Sequence, residues 1–445
     1  MTRAIQDATA RPWSSRAVLV LLLIAFAMSA IFYHWSRLPE FNHHVPEFIA
    51  LALASGALYL AGVCVTERFT QGWPALLVIL AAAGAFRLIL LPANPPLSDD
   101  VYRYQWEGKV QALSFNPYTV YPAQSGLQKL QNPRRPLRTG ATTPTVYPPL
   151  SELSFTWVST IRGYKILYAA FDLATLGVLL GILASLQQPL YRVLVYAWNP
   201  AVIISFSLCS HQDSLAIFTL MLACLLIIRR KFLLSNVFLA LSFASKFFAI
   251  LFLPLFLKRP RRASVGAFAG VVLLCYLPFI SAGRELFHGF INYAARWQDN
   301  DSLFRVIRAA SASRPQAEFV AGILVLAVVA CVVRSHMPVL RSGLFLTASL
   351  LLLSPNAFPW YFTWSVPFLC FYPSAPWLLM SVTCVLGYAP VIAYAAGQPY
   401  RDSPLILILE YAPVLAWLLW KGLKDFAQPE RDEEVKLLSS TQAAD

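Results

Sequence analysis

An acidic pair, Asp99 and Asp100, is the part of the sequence best suited to chemistry, because it stands where a long apolar run gives way to a polar stretch. Ser98 precedes the pair, and Arg103 and Glu107 follow it at helical spacing. One carboxylate is enough to cap a helix N-terminus, so capping by Ser98 or Asp99 is one interpretation. Two adjacent carboxylates followed by a cation are also typical of general-base or cation-binding sites. We therefore treat the pair as candidate catalytic residues.

A single lysine, Lys246, interrupts the apolar segment 232–257, and basic clusters flank that segment at 229–231 and 258–262. Basic residues favour the cytoplasmic face, so a single crossing would leave one cluster outside. Two short helices that meet at Lys246, near the outer face or in a hydrated cavity, satisfy both clusters, whereas a lipid-facing lysine would cost several kcal/mol. The alternative is a lysine whose ammonium only extends along the helix to the membrane surface.

The composition indicates the scaffold that must position these residues. The chain has 445 residues, of which 58% are hydrophobic and 13% charged, whereas soluble domains contain about 25% charged residues. The apolar residues come in runs of about 20 separated by short basic connectors, which is the length needed to cross about 30 Å of hydrocarbon. We therefore predict an all-α polytopic membrane protein.

The net charge of +13 could indicate nucleic-acid binding. However, the basic residues flank apolar runs as topology signals and are not interleaved with aromatics, so no nucleic-acid partner is predicted. The seven cysteines lie in or beside apolar segments without a CxxC pair, and we interpret them as small packed side chains. The apolar run 17–35 is longer than the core of a signal peptide and is interpreted as the first span.

Hydropathy and the distribution of Lys and Arg predict about 12 to 14 membrane-spanning helices with both chain ends in the cytoplasm. The predicted spans are 17–35, 46–65, 73–92, 164–185, 191–209, a segment ending at 229–231, the pair within 232–257, 263–281, 316–333, 342–354, 361–373, 375–396 and 403–420. This topology places Asp99, Asp100 and Asn300 on the periplasmic side and Arg230 and Arg261 on the cytoplasmic side.

The predicted organisation follows from these spans. It comprises N-terminal helices at 1–72, a catalytic core at 73–375, C-terminal helices at 376–420 and a disordered cytoplasmic tail at 421–445. Two outer loops with short amphipathic helices, 93–163 and 282–315, carry most of the polar residues, including several Arg and Lys. Basic residues on the outer side suggest an anionic ligand there.

Further motifs follow the acidic pair in a fixed order. They are Arg103-Tyr104-Gln105-Trp106-Glu107-Gly108, Asn116-Pro117-Tyr118, Tyr147-Pro148-Pro149-Leu150, His211-Gln212-Asp213, Lys246, Asn300-Asp301-Ser302-Leu303-Phe304, Ser354-Pro355 and Pro359-Trp360-Tyr361 with Trp364. This ordered set resembles the GT-C superfamily of membrane glycosyltransferases. More narrowly, it resembles bacterial mannosyltransferases that use polyprenyl-phosphate sugars. The resemblance covers residues 73–375.

The resemblance implies a GT-C fold and a transferase in which a loop carboxylate, Asp99 or Asp100, deprotonates an acceptor hydroxyl. The lipid phosphate leaves from the sugar, with inversion at the anomeric carbon, and needs nearby cations. The candidates for donor phosphate binding are Arg103, His211, Lys246 and Arg296. The candidates for sugar or acceptor binding are Tyr104, Trp106, Glu107, Asn116, Tyr118, Tyr147, Asp213, Asn300, Trp360 and Tyr361.

Alternatives stay open for several of these residues. A single aromatic can belong to the aromatic belt at the membrane surface, and His211 with Asp213 can be an interfacial histidine beside a helix cap. Asp99 and Asp100 could hold Mg²⁺ or Mn²⁺ loosely, but no histidine and carboxylate set at metal spacing stands beside them. The sequence therefore establishes no cofactor.

The predicted function is transfer of mannose or another sugar from a polyprenyl-phosphate donor to a lipid, glycan or protein acceptor. The expected location is the outer face of a bacterial inner membrane, with membrane lipids as further partners. The alternative is a secondary transporter or a flippase for lipid-linked sugars. Transporters place charge at the bilayer midplane in broken, often repeated helices, whereas here the acids cluster in an outer loop.

Overall fold

The computed structural model describes residues 15–38, 41–69, 72–133, 135–257 and 262–427. Within these ranges the chain is helical, and its only strand-like pairings are two isolated bridges. Eight of the described helices are long and apolar enough to cross a membrane. They are Ser15–Arg37, Val45–Arg68, Trp73–Leu90, Ile161–Ser185, Ala263–Arg296, Arg314–Arg334, Ala375–Ala395 and Pro404–Lys421. The prediction of an all-α polytopic membrane protein is confirmed.

Shorter apolar helices of 10–17 residues pack among the long ones. They are Asp213–Ile228, Phe232–Ser245, Phe247–Phe256 and Val339–Leu353. The predicted break within 232–257 is confirmed, because Lys246 is extended, with φ −154° and ψ 127°, between Phe232–Ser245 and the 3-10 turn Phe247–Phe252. Leu253–Phe256 then continues this segment as a short α-helix.

Two predicted spans, 191–209 and 361–373, are not regular helices. The first is divided into Leu190–Val193, Leu194–Ala197, Pro200–Ile203 and the π-helical Ile204–Leu208, and the second into Pro359–Trp364 and Val366–Leu369. Prolines interrupt both, and most of their residues are buried in protein. Irregular backbone is tolerated at membrane depth where protein surrounds it. Hydropathy alone does not separate such a segment from a lipid-facing span.

The first outer loop contains the helices Asp100–Ala112 and Pro149–Ser154 and a short turn, Gln128–Leu130. Its interior is aromatic: Tyr104 stacks on Phe155 with ring centroids 4.5 Å apart, and Tyr164 and Tyr168 pack against their edges. This small core packs the helix Asp100–Ala112 against Phe155 and the first turns of Ile161–Ser185.

The predicted second outer loop, 282–315, begins at a kink in the chain. The helix Arg262–Tyr276 leads into the 3-10 stretch Leu277–Phe287, where Gly283 is non-helical with a φ of 53°, and His288–Arg296 then forms a separate helix. A further short helix, Leu303–Ala310, precedes Arg314–Arg334. The two outer loops touch directly, because the backbone of Gly289 lies against the carbonyl of Thr145, where a Cβ would overlap.

The end of the bundle away from the acidic pair carries basic residues with their own partners. Arg192 pairs with Glu67 at 3.1 Å, and Arg229 Nε donates to the hydroxyl of Ser185 at 3.3 Å. The C-terminal helix Pro404–Ala427 extends into the segment predicted to be a disordered tail. Residues 428–445 and Arg261 lie outside the described residues.

Candidate active site

The acidic pair lies after the helix Trp73–Leu90 has ended and where the helix Asp100–Ala112 begins. Asp99 occupies the N-cap position, yet its side chain makes no capping hydrogen bond. Instead, the hydroxyl of Ser98 accepts a hydrogen bond from the backbone N–H of Asp100 at 3.1 Å. Neither carboxylate is therefore used to cap the helix, and both side chains are partly exposed.

His211 faces Asp100, with its Nδ1 atom 3.3 Å from Asp100 Oδ2. The imidazole is fully buried and stacks on the indole of Trp360, with ring centroids 4.0 Å apart and planes inclined by 14°. Trp360 also stacks on Phe358 at 4.6 Å. The structure thus brings a candidate phosphate ligand and a candidate sugar-binding residue to the acidic pair.

The backbone before His211 explains how its side chain reaches Asp100. The segment Ile204–Leu208 is π-helical, and Ser210 has a φ of 64°, in the left-handed region. The N–H of His211 donates to the carbonyl of Ser205 at 2.9 Å. A wide turn followed by a left-handed residue ends the buried segment abruptly, and such irregularities are frequent at functional sites.

Lys246 forms an ion pair with Asp213, with 3.1 Å between Nζ and Oδ1. The indole N–H of Trp364 donates to the same Oδ1 at 2.8 Å, and the ammonium lies 4.8 Å from the ring centre of Tyr361. Asp213 is fully buried, whereas 15% of the Lys246 side chain is exposed. The lysine is directed into a polar, aromatic cluster, so the geometry does not support the alternative of an ammonium that only reaches the membrane surface.

The two carboxyl groups of the pair have opposite pKa shifts. Burial raises the pKa of Asp99 above its ordinary value; the charge of Asp100 adds to this, while Arg135 and Arg138 oppose it. Burial also acts to raise the pKa of Asp100, but contact with His211 and the charges of His211 and Lys246 outweigh burial, so that pKa is lowered. Environments that shift the pKa values of two neighbouring acids in opposite directions are typical of sites in which each acid has a separate role.

Tyrosine hydroxyls surround this cluster. The hydroxyls of Tyr293 and Tyr361 lie 3.1 Å apart. Burial raises the pKa values of Tyr104 and Tyr147, and the charge of Asp100 adds to both shifts, which indicates that these rings stand near the acidic pair. Neutral tyrosines can donate hydrogen bonds to sugar hydroxyls or to phosphate oxygens.

Three candidate residues of the first outer loop instead stabilise that loop. Arg103 pairs with Glu107 at 2.6 Å and donates to the carbonyls of Gly140 and Thr143. Trp106 is fully buried, and its indole N–H donates to a backbone carbonyl of the same loop. The structure does not bring Arg103, Trp106 or Glu107 to the cluster around Asp100, because the guanidinium, the indole N–H and Glu107 Oε1 are bonded within the loop.

Asn116, Tyr118 and Arg296 also lie apart from the cluster. The amide of Asn116 donates to the carbonyl of Phe279 at 3.1 Å, which joins the first outer loop to the 3-10 stretch Leu277–Phe287. Tyr118 is buried and donates to the carbonyl of Tyr147 at 2.9 Å. Arg296 is exposed at the end of His288–Arg296, and no ion pair joins it to the described acidic groups.

Asn300 has a structural position as well. It is buried with a φ of 51°, and its amide donates to the carbonyl of Ala357 and to Glu410 Oε1, each at 2.9 Å. These contacts fix the second outer loop on the C-terminal helix. Asn300 therefore holds that loop in place beside the segment that leads to Trp360.

The structure places three further residues near the candidate groups, Tyr293, Trp364 and Arg135, for which the sequence predicts no role. Trp364 bonds to Asp213, Tyr293 bonds to Tyr361, and the charge of Arg135 acts on Asp99. The only signal for Arg135 is the pair of basic residues between prolines at 133–136. Tyr293 lies in an amphipathic helix whose docking onto the site is a tertiary event.

A family model described as alpha-(1->6)-mannopyranosyltransferase, N-terminal domain, of the MptA_B family, matches residues 17–259. This range is more than half of the 445 residues and contains the acidic pair, His211 and Lys246. The chain belongs to this family. The interpretation of the ordered motifs as those of a GT-C-type membrane glycosyltransferase is confirmed. No curated protein and no solved structure matches the chain.

In this mannosyltransferase, the residues matched by the family model do not make up the whole cluster. Trp360, Tyr361 and Trp364 come from the turn Pro359–Trp364, which follows the matched range, yet they contact His211, Lys246 and Asp213. The C-terminal part of the chain therefore completes the candidate active site.

The mannosyltransferase also has a second group of acids outside the cluster. Burial raises the pKa of Asp299 to about 9, and the charge and hydrogen bond of Asp402 add to the shift. The backbone N–H of Asn300 donates to Asp402 at 3.0 Å. Burial beside Asp402 therefore keeps the Asp299 carboxyl protonated near neutral pH.

Metal binding by the acidic pair has limited support from the side chains. Among the described residues, no group of three or more His, Cys, Asp or Glu side chains has metal-binding geometry. Asp100 already faces His211, which leaves one carboxylate of the pair for a cation. A cation here would need most of its oxygen ligands from substrate or water.

Proposed function

We propose that this protein transfers mannose from a polyprenyl-phosphate donor to a hydroxyl of a lipid or glycan acceptor, with inversion at the anomeric carbon. The observation that carries the proposal is the convergence of Asp100, His211 and Lys246 just beyond the end of the helix Trp73–Leu90. The isoprenoid of such a donor lies in lipid and its phosphate at headgroup level. Cations and carboxylates at the end of a membrane-spanning helix suit that substrate.

Lys246 and His211 are proposed to bind the donor phosphate. An ammonium has three donors, so Lys246 can contact phosphate while it stays beside Asp213. His211 is fully buried and is held in place by its contacts with Asp100 and Trp360. Hydrogen-bond donors fixed before the reaction stabilise the charge that develops on the leaving phosphate without reorganisation.

Asp99 is proposed as the general base. Its carboxylate takes the proton of the acceptor hydroxyl while the acceptor oxygen forms a bond to the anomeric carbon. The bond between that carbon and the phosphate oxygen breaks, and its electron pair leaves with the phosphate. Attack from the face opposite the phosphate inverts the configuration. The raised pKa of Asp99 supports this role, because a base is most effective when its pKa approaches the working pH.

Asp100 is proposed to hold His211 in position, since its pKa is lowered and its Oδ2 atom faces the imidazole. Trp360 has a supporting role in this proposal: it is 8% exposed and packs on both His211 and Phe358, so little of its ring surface is open to a sugar. Tyr147, which is only partly buried, is the better candidate for sugar contact.

We place the site on the periplasmic face of a bacterial inner membrane, with both chain ends in the cytoplasm. The support for this orientation is the basic cluster at 229–231, which ends the helix that begins at Asp213 beside the site. Basic residues favour the cytoplasmic face, so the end that carries Asp213 faces outward.

The test is transfer of radiolabelled mannose from polyprenyl-phosphate mannose to octyl α-mannopyranoside by purified protein, with and without a chelator. We expect Asp99→Asn to lower kcat by about 10² to 10⁴ because the base is lost, and Asp100→Asn to lower it less. The matched control is Glu285→Gln, which changes an exposed carboxylate of the second outer loop and should be fully active. Full activity of both aspartate variants would contradict the proposed mechanism.

A further inference from the structure

Lys165 lies in the first turns of the helix Ile161–Ser185 and is 1% exposed. Its ammonium donates to three backbone carbonyls: Leu90 at 2.8 Å, Ala93 at 2.6 Å and Leu208 at 3.4 Å. These bonds match the three donors of an ammonium. Leu90 ends the helix Trp73–Leu90, where its carbonyl also accepts a hydrogen bond from the N–H of Ala93 at 3.1 Å, and Leu208 ends the π-helical segment.

The three carbonyls belong to the two chain segments that lead into the candidate active site. Leu90 and Ala93 precede the acidic pair, and two consecutive buried prolines, Pro95 and Pro96, lie between. Proline fixes φ, so this connection is stiff, and the position of Ala93 determines the position of the acidic pair. Leu208 is followed closely by Ser210, whose left-handed backbone sets the direction of His211.

If Lys165 only capped the C-terminus of the helix Trp73–Leu90, it would bond to Leu90 but not to Leu208, which belongs to another segment. The distance between Asp100 Oδ2 and His211 Nδ1, 3.3 Å, depends on how these two segments lie relative to each other. Lys165 is the described side chain that bonds to both of them at their ends.

We propose that Lys165 is a positioning residue for sugar transfer, which holds the segment of the acidic pair and the segment of His211 in the alignment that the reaction needs. This inference rests on the proposed function, because it acts through Asp100 and His211. Lys165 donates hydrogen bonds only to backbone carbonyls, so it affects the reaction through the positions of Asp100 and His211 and not by contact with the substrate.

The experiment is a double-mutant cycle between Lys165→Met and His211→Asn, with rates expressed per folded, monodisperse molecule in detergent. Displacement of reacting groups by about 1 Å can cost roughly 10²-fold in rate. We expect Lys165→Met to lower kcat by roughly ten- to a hundredfold and to raise the donor KM, because the substitution displaces both Asp100 and His211. In the His211→Asn background the same substitution should have little further effect, because the alignment it supports is already lost.

The matched control is Tyr59→Phe, which removes another buried side-chain bond to backbone, from Tyr59 to the carbonyl of Val195 at 2.9 Å. It should lower the melting temperature and leave kcat unchanged. Lys165→Arg, which keeps the charge but replaces the compact ammonium by a planar group, should recover part of the rate. If Lys165→Met does not fold, Lys165→Gln retains two donors and serves in the same cycle.

Equal losses in kcat from the Lys165 substitution in both backgrounds, or an unchanged kcat in a folded variant, would overturn the positioning role. The outcome for the proposed function is separate. If His211→Asn, Asp99→Asn and Asp100→Asn all keep the wild-type rate, the cluster is not the active site; if they lose activity while Lys165→Met does not, only the inference about Lys165 fails.

Discussion

Substitution of Lys246 tests whether its charge binds donor phosphate or only neutralises Asp213. Asp213 is fully buried and has two polar partners, Lys246 at 3.1 Å and the indole of Trp364 at 2.8 Å. Removal of one member of a buried ion pair typically costs about 3–5 kcal/mol, because the other charge stays buried without compensation. We therefore expect Lys246→Met to unfold at a distinctly lower temperature, which would obscure any effect on binding.

The double variant Lys246→Met with Asp213→Asn separates the two effects. It removes both charges, and the new amide can still accept the hydrogen bond from Trp364, so its stability should return to within about 1–2 kcal/mol of wild type. It still lacks the cation. A hydrogen bond to a charged group is worth about 1.5–3 kcal/mol, which corresponds to a roughly 10- to 150-fold increase in the donor KM.

The assay combines thermal unfolding in detergent with initial rates at varied concentrations of polyprenyl-phosphate mannose. The matched control is Arg305→Met with Asp301→Asn, which removes an ion pair of 2.7 Å in the second outer loop. That control should keep the donor KM of wild type. A Lys246 and Asp213 double variant that is folded and has an unchanged donor KM would refute the assignment of Lys246 to the phosphate.

Three further predictions concern the orientation, the second acid group and the contact between the outer loops. In a cysteine-free background, Arg138→Cys should react with an impermeant maleimide in intact cells, and Arg230→Cys only after permeabilisation; labelling of both from one side would exclude the topology. Burial raises the pKa of Asp299 to about 9, from about 4 in an unfolded chain. The stabilisation from the protonated Asp299 carboxyl is therefore complete below about pH 4 and is lost as the pH rises towards 9, by about 1.4 kcal/mol per pH unit. The melting temperature of Asp299→Asn should therefore exceed that of wild type increasingly between pH 5 and 9, about the window set by those two pKa values, and a constant difference would argue against a protonated Asp299. Gly289→Ala should cost about 1–3 kcal/mol and lower the transfer rate, because the added Cβ overlaps the carbonyl of Thr145; unchanged stability would show that the two outer loops do not need this contact.

The sequence determined the broad architecture because that architecture depends on local properties. Membrane-spanning helices such as Ser15–Arg37 and Ile161–Ser185 follow from the length of apolar runs, which hydropathy measures directly. The break at Lys246 followed from charge alone, since basic clusters on both sides of one apolar segment are incompatible with a single crossing. The family was recognisable because its motifs have a fixed order along the chain.

The tertiary structure decided which polar residues form the candidate site and which serve the fold. Arg103 and Lys246 are both cations near apolar segments in the sequence, yet Arg103 is bonded to Glu107 inside a loop while Lys246 enters the cluster with Tyr361. Residue type does not reveal this difference, because it depends on partners far away in the chain. The same holds for the buried segments 191–209 and 361–373, which hydropathy cannot distinguish from spans.

For the acidic pair, the sequence identified the residues, and the tertiary structure determined their electrostatic properties. Its residue types and its position after an apolar run made Asp99 and Asp100 candidates from the sequence, because two adjacent carboxylates exceed what a helix cap needs. His211 and Lys246 lower the pKa of Asp100, whereas burial raises the pKa of Asp99 against the opposing charge of Arg135. Electrostatic interactions depend on distances in space, and those distances are set only when the helices and outer loops pack together.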